Sequence, residues 1–329
     1  MALGALVLLL GFGIIGLGAV SVLGNLISVL ILGAILLGKV FRPYYESERS
    51  LQREMLYEGF PLMINHLLAT IFFRIDVFIL KPTWGDQAVG YYNAAYKYVD
   101  GINVIPQYFT LAIFPLMSRY ASTSRESLIR AYILSLRLLQ MLAIPIAIGT
   151  PFIAHDLILI LGGEQFIPDS VIVLQLLIWF LPFSFVNQVT QYVLIAINQQ
   201  RFLTKAFIIG VTFNVVANLI LIPRYGYRAA AITTILSEWA LLLPFYYAVR
   251  KNLCPVPWFD VFWRPTVAGA VMGAVLWPIR DWGTLLILPI GAGVYLIALG
   301  LVGGYRQPDM DLIWRAVPLR RWRERFATS

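Results

Sequence analysis

Arg74 and Asp76 stand in Glu58-Gly-Phe-Pro-Leu-Met-Ile-Asn-His-Leu-Leu-Ala-Thr-Ile-Phe-Phe-Arg-Ile-Asp-Val-Phe78, a run that is otherwise largely apolar. A charge at the centre of a membrane helix costs about 2.5–3.5 kcal/mol on insertion scales, so each one needs a partner or a wet cavity. At 100° per residue, Asn65 and Asp76 fall within about 20° of one face, and His66, Thr70 and Arg74 form an adjacent stripe in steps of four. Arg74 and Asp76 are two apart and point away from each other, so they are not an intrahelical pair. Two chemistries fit. The stripe is a cationic, hydrogen-bonding wall for an anionic substrate, or Arg74 snorkels to the outer interface while Asp76 pairs with Lys81 or Lys97.

A second polar stripe, Ser184, Asn187 and Gln191 with Gln188 on its flank, marks the run at 171–197, and Asn198 continues it just beyond. It either knits helices through hydrogen bonds or lines a cavity. The third group is Asn214 and Asn218, one turn apart, followed by the turn Pro223-Arg-Tyr-Gly226, Ala229-Ala-Ala231 and Glu238. The asparagines share one face, the turn closes a tight hairpin, and the alanines allow close helix approach. Glu238 near mid-span is a structural partner for an arginine such as Arg137, or a group that carries charge for ion coupling, as Asp76 also could. Thr234, one turn away, is placed to share its hydrogen bonds.

No catalytic constellation accompanies these groups. There is no Gly-rich phosphate loop, no His-Glu-x-x-His and no Gly-x-Ser-x-Gly. One cysteine, Cys254, and two histidines, His66 and His155, exclude an internal disulfide, a cysteine-based metal cluster and a His-rich metal site. The reading is a non-enzyme with no cofactor and no metal. A membrane acyltransferase using His66 is the alternative of a different class.

The elements that hold these residues follow from composition. Hydrophobic residues make up 60% and charged residues 13%, against roughly 45–50% and 25% in soluble domains. Mean hydropathy is +0.78. The fold class is all-α, a polytopic transmembrane helix bundle. Residues 1–38 carry no charge; the glycines of Gly11-Phe-Gly-Ile-Ile-Gly-Leu-Gly18 break a helix, leaving a full span near 18–38. Further spans are expected near 59–80, 101–118, 131–150, 171–197, 205–222, 229–249, 260–279 and 284–303, with a basic tail beyond. Alternating the loops puts eighteen of the 25 basic residues on one side, from Lys39 to Arg325, while the loop at 151–170 on the other side has none. By the positive-inside rule the first side is cytoplasmic, so the C-terminus is inside and Pro223–Gly226 faces out. This makes the net charge of +8 a matter of topology and lipid contact, with no nucleic-acid partner implied.

Three passages resemble the polysaccharide transporter branch of the multidrug/oligosaccharidyl-lipid/polysaccharide exporter superfamily, the flippases of O-antigen and related lipid-linked sugars. They are Arg74-Ile-Asp76 through Val89-Gly-Tyr-Tyr-Asn-Ala-Ala95, Leu161-Gly-Gly-Glu-Gln-Phe166 with the span after it, and Asn214 to Gly226 with its alanine-rich continuation. The resemblance covers about 18–303. It implies a MATE-like transporter of two six-helix lobes around a cavity that opens to each side in turn, in a bacterial cytoplasmic (inner) membrane.

On that resemblance, 1–40 is the end of the first lobe, 57–250 the second lobe, 258–304 two additional helices and 305–329 a cytoplasmic tail. Most of a first lobe is missing from such a layout, so the chain is expected to be an N-terminally truncated flippase, or to work with a second lobe or as a homo-oligomer. The implied partners are a lipid-linked oligosaccharide and membrane lipids. Arg74 would favour its phosphates, with Asn65, His66, Asp76, Asn187, Gln191, Asn214 and Asn218 contacting polar groups. A multidrug or peptidoglycan-precursor exporter of the same superfamily and a scaffold of glycan assembly are the other readings.

Overall fold

The computed structural model describes residues 7, 11, 13–40 and 48–304; the basic tail expected at 305–329 lies outside the described residues. The described residues hold helices α1 (Gly13–Ile35), α2 (Arg49–Thr123), α3 (Arg125–Gly162), α4 (Asp169–Leu177), α5 (Leu181–Ala196), α6 (Gln200–Asn252), α7 (Trp258–Leu276) and α8 (Thr284–Leu301), and no strand. Two compact units divide the chain, Met1–Gly59 and Phe60–Ser329. In the first, Gly11 and Gly13 have positive φ, at the glycine-rich break expected from the sequence. The span that follows, Gly18–Gly38, keeps its large apolar side chains exposed, as a lipid-facing helix would.

Six helices among the described residues are long and apolar enough to cross a membrane, which makes this a multi-pass membrane protein. Two of them are too long to cross once. The apolar stretch Met63–Thr123 has 61 residues and α6 has 53, or about 92 and 80 Å if straight, against a hydrocarbon core of about 30 Å. Each folds back at a glycine with left-handed φ, Gly85 (φ 80°) and Gly226 (φ 62°). The bonds across each bend establish the hairpins. Arg74 and Asp100 would be about 39 Å apart on a straight helix, yet they pair at 3.4 Å. Asn214 donates to Ser237 at 2.8 Å and Thr233 donates to Asn218, two rungs that share one register about the Tyr225–Gly226 turn.

One expectation needs correction. Spans near 59–80 and 101–118 leave 81–100 as a loop, but the helix resumes directly after Gly85. Its polar residues suggested solvent, while Ala88, Tyr92, Ala95, Tyr96 and Val99 are buried at helical spacing. Lys97 and Asp100 therefore sit on a membrane helix rather than in an outer loop.

Within the second unit α3 packs against α5 and α7, α6 against α4 and α5, and α7 against α8. Tyr92, Tyr132, Phe180, Phe185 and Phe245 are fully buried at its centre. Lipid is as apolar as leucine, so close packing and hydrogen bonds hold such helices together. Gly269 illustrates the closeness, since a Cβ there would lie 2.6 Å from Ile148 Cδ1. Ser124 caps α3, its hydroxyl accepting from Ser127 N–H at 3.3 Å.

Candidate functional site

The first hairpin brings its charged residues onto two sides. Asp76 is 2% exposed; it accepts from the Tyr92 hydroxyl and from Val77 N–H at 2.8 Å, and Tyr92 is also 3.2 Å from Thr234 Oγ1. The partner expected for Asp76, Lys81 or Lys97, is therefore replaced by a phenol. Lys81 lies beside the Gly85 bend and pairs with Asp86 at 3.1 Å. The bend at Gly85 brings Tyr92, seven residues after it, opposite Asp76, nine before it, which helical spacing alone does not reveal.

Arg74 points the other way, as the two-residue spacing required. It pairs with Asp100, with its guanidinium 5.7 Å from the centre of the Tyr96 ring. Both charges line a cleft of about 530 Å³ shared with Asn93, Lys97, Ile158, Leu161 and Phe166. Arg74 is eleven residues from the bend, so it lies about 16 Å along the helix from the Gly85 turn. The cleft thus offers two cations, one carboxylate, an amide and a phenol beside an apolar wall. That set suits an anionic, hydroxyl-rich head group next to a lipid chain. Asn65 has a buried Oδ1 with no partner among the described residues, whereas His66 is exposed and its carbonyl accepts from Thr70.

Asn187 of α5 meets Glu238 of α6, and Ser184, one turn earlier on the same helix, is buried. Asn187 Nδ2 donates to Glu238 Oε2 at 2.6 Å and to its backbone carbonyl at 2.9 Å. Glu238 is 1% exposed and about 18 Å below the Gly226 turn. Two expectations fail here. Arg137 does not serve Glu238, because it pairs with Asp260 of α7. Thr234 bonds the Ala230 carbonyl and Tyr92 rather than Glu238. Gln191, on the same helix as Asn187, is half-buried.

Asn214 and Asn218 are buried, and Asn218 donates to Asn214 Oδ1 at 3.1 Å. With the bonds to Ser237 and Thr233 they form a polar zip down the second hairpin. Of the sequence-derived residues, Arg74 alone lines the 530 Å³ cleft. Asp76 and Glu238 lie in the bundle interior and the asparagines between helices. Asn93, Tyr96 and Asp100 of the cleft wall, and Tyr92 beside Asp76, carry no weight in the sequence expectations, and Lys97 figures there only as a partner for Asp76. The signal was present in the buried spacing of 88, 92, 95 and 99.

The family model described as polysaccharide biosynthesis protein matches residues 1–121. The chain is 24% identical over 233 residues to the probable flippase AglR of Haloferax volcanii, covering 70% of this chain and 48% of AglR. It thus spans about half the length of the curated relatives it matches. Among solved structures, the lipid II flippase MurJ in its inward closed conformation aligns with a TM-score of 0.74 and 17% identity, over 91% of this chain and 64% of MurJ. A MATE structure in the straight conformation aligns with a TM-score of 0.55 and 16% identity, over 78% of this chain. The class is therefore an all-α, MATE-like transmembrane bundle. Within it, the resemblance to the polysaccharide transporter branch of the multidrug/oligosaccharidyl-lipid/polysaccharide exporter superfamily is borne out by the family model and AglR together.

Proposed function

We propose that this chain takes part in flipping lipid-linked oligosaccharide or polysaccharide precursors across the cytoplasmic membrane by alternating access. The second six-helix lobe that this mechanism requires comes from further chain or from a partner copy. The observation that carries the reading is the Arg74–Asp100 pair at the wall of an intramembrane cleft, with Lys97, Asn93 and Tyr96 beside it. A substrate phosphate competes with Asp100 for Arg74, and sugar hydroxyls meet the amide, the phenol and Lys97. Asn187, Asn214 and Asn218 then act behind the cleft, holding the helices that carry it. Asp76 and Glu238 are the ion-coupling candidates, each a buried carboxylate in a moving half-transporter. The chain is not an enzyme, its C-terminus is cytoplasmic, and 57–250 and 258–304 are the lobe and its two added helices.

The test is surface glycan in a strain lacking its own lipid-linked-glycan flippase and carrying the full chain with any second lobe it needs. Arg74→Glu abolishes surface glycan while the membrane level of the protein is unchanged, and Lys81→Gln at the outer bend leaves both unaltered. Normal surface glycan from Arg74→Glu would overturn the reading.

A further inference from the structure

The cleft beside Arg74 is not uniform along its length. On the second limb of α2 it is lined by Gly90, Asn93, Ala94, Lys97 and Asp100, which share one helix face. Counted from the Gly85 bend at about 1.5 Å per residue, Gly90 lies about 8 Å along that limb and Asp100 about 22 Å. Arg74, Lys97 and Asp100 gather the charge at the far end. Toward the bend the lining changes to Gly90, Gly162 and Phe166.

Phe166 is held in place there. It ends the short 3₁₀ turn Glu164–Phe166 that follows α3, and it rests on the bare backbone of Gly162, where a Cβ would lie 2.9 Å from its ring. A Cβ on Gly90 would lie 3.7 Å from the same ring. The Tyr91 ring meets Phe166 edge to face with centroids 6.1 Å apart, and meets Tyr227 in the same way at 6.1 Å. Tyr91 in turn accepts from Gln87 Nε2 at 2.7 Å, and Tyr227 donates to Asp169. Phe166 nevertheless stays only half-buried, and its free surface lines the cleft. A fixed aromatic surface of this kind binds with little loss of side-chain freedom. Lys81 and Asp86 flank the bend and Glu164 and Gln165 adjoin Phe166, all four exposed, so this end of the cleft stands at the level of water rather than of lipid chains.

An aromatic surface open to water suits a ligand that is apolar on one face and polar at its edge. We propose that Phe166, seated on Gly162 with Gly90 beside it, forms a sugar subsite that holds the first pyranose ring of the substrate. The C–H groups of the ring, made positive by the neighbouring oxygens, lie on the negative aromatic face, while the hydroxyls reach Asn93 and water. The inference rests on the reading of the cleft as the site of a lipid-linked glycan and adds its direction, with phosphate at Arg74 and Lys97 and sugar toward the Gly85 bend. About 10 Å of helix separates Gly90 from Lys97. A cleft of about 530 Å³ encloses a small head group, so further sugars extend past the bend.

The experiment is a competition read by native mass spectrometry. The purified full chain, with any second lobe it needs, is given equal amounts of undecaprenyl diphosphate and undecaprenyl diphosphate N-acetylglucosamine, two lipids that differ by one sugar ring. Wild type retains the sugar-bearing lipid about fivefold over the bare diphosphate. Phe166→Ala brings that ratio down to about one, and Phe166→Tyr, which keeps the aromatic face, preserves it. Gly90→Leu guards against a variant that merely loosens the fold, because leucine favours a helix more than glycine does and fills the subsite without removing a packed side chain. It too brings the ratio to about one. Equal retention of the two lipids by wild type, or a preference that survives Phe166→Ala or Gly90→Leu, overturns the sugar subsite and leaves the phosphate reading of Arg74 standing. Retention of neither lipid by wild type, or undiminished retention of both by Arg74→Glu, overturns the reading of the cleft itself and this inference with it.

Discussion

Asp76 shows how much a single buried hydroxyl carries. Its carboxylate is shielded from lipid and water, and Tyr92 supplies a side-chain donor to it. Tyr92→Phe leaves a buried acceptor unanswered, a loss of about 1–3 kcal/mol, read as a lower unfolding temperature in detergent. The same change in an Asp76→Asn background costs less, because the neutral amide is cheaper to leave unpaired. A double-mutant cycle that gives simple additivity would show that the bond is not formed. Cys254 is a different kind of reporter, placed between α6 and α7. Burial pushes its thiol up from the ordinary range, against the smaller pull of the Arg125 guanidinium. Maleimide labelling of the folded protein at pH 8 is therefore slow, and unfolding in dodecyl sulfate accelerates it at least tenfold; rapid labelling of the folded protein would place the thiol at the surface. The residue level was the least legible in the sequence. Apolar runs reveal that Asp76 and Arg137 are embedded, but their partners, Tyr92 and Asp260, are decided by helix register and by contacts 123 residues apart.

At the scale of elements, both hairpins turn on a glycine, but the two glycines are constrained differently. A Cβ at Gly226 would come within 2.9 Å of the Trp84 ring, whereas at Gly85 it would meet open space. Both positions have left-handed φ, which costs an L-residue about 1 kcal/mol or more. Gly226→Ala is expected to lower stability by about 2–3 kcal/mol and Gly85→Ala by about 1. Trp84→Ala recovers part of the Gly226→Ala loss, and equal unfolding temperatures for the two glycine variants would show that the ring contact is unimportant. The second hairpin was readable because its signals agree: an asparagine pair, a Pro-x-x-Gly turn and small residues after it. The first was misread because the residues after Gly85 alternate aromatic burial with polar residues that line the cleft. Such a helix looks like a loop when apolarity is the sole guide.

For the whole molecule, the sequence expressed the class and the approximate spans because bilayer thickness and hydrogen-bond satisfaction leave few alternatives. It also fixed an orientation that remains a prediction. In a Cys254→Ser background, a membrane-impermeant maleimide added to intact cells labels Arg224→Cys at the outer turn but not Arg130→Cys, which reacts after permeabilisation. The reverse pattern would invert the topology and place the Arg74 cleft on the other side.

The Trp84 indole donates to the Ile222 carbonyl at 2.8 Å, an acceptor that the bend at Gly226 releases from the helix. That bond fastens the turn of one hairpin to the turn of the other, as a rivet joins two levers. From Gly226 the second limb runs through Asn252, a length of about 39 Å. A limb of that length tilting by about 10° about the rivet sweeps its far tip by nearly 7 Å while its pinned end hardly moves. Small adjustments at the two turns are thereby magnified at the opposite end of the bundle.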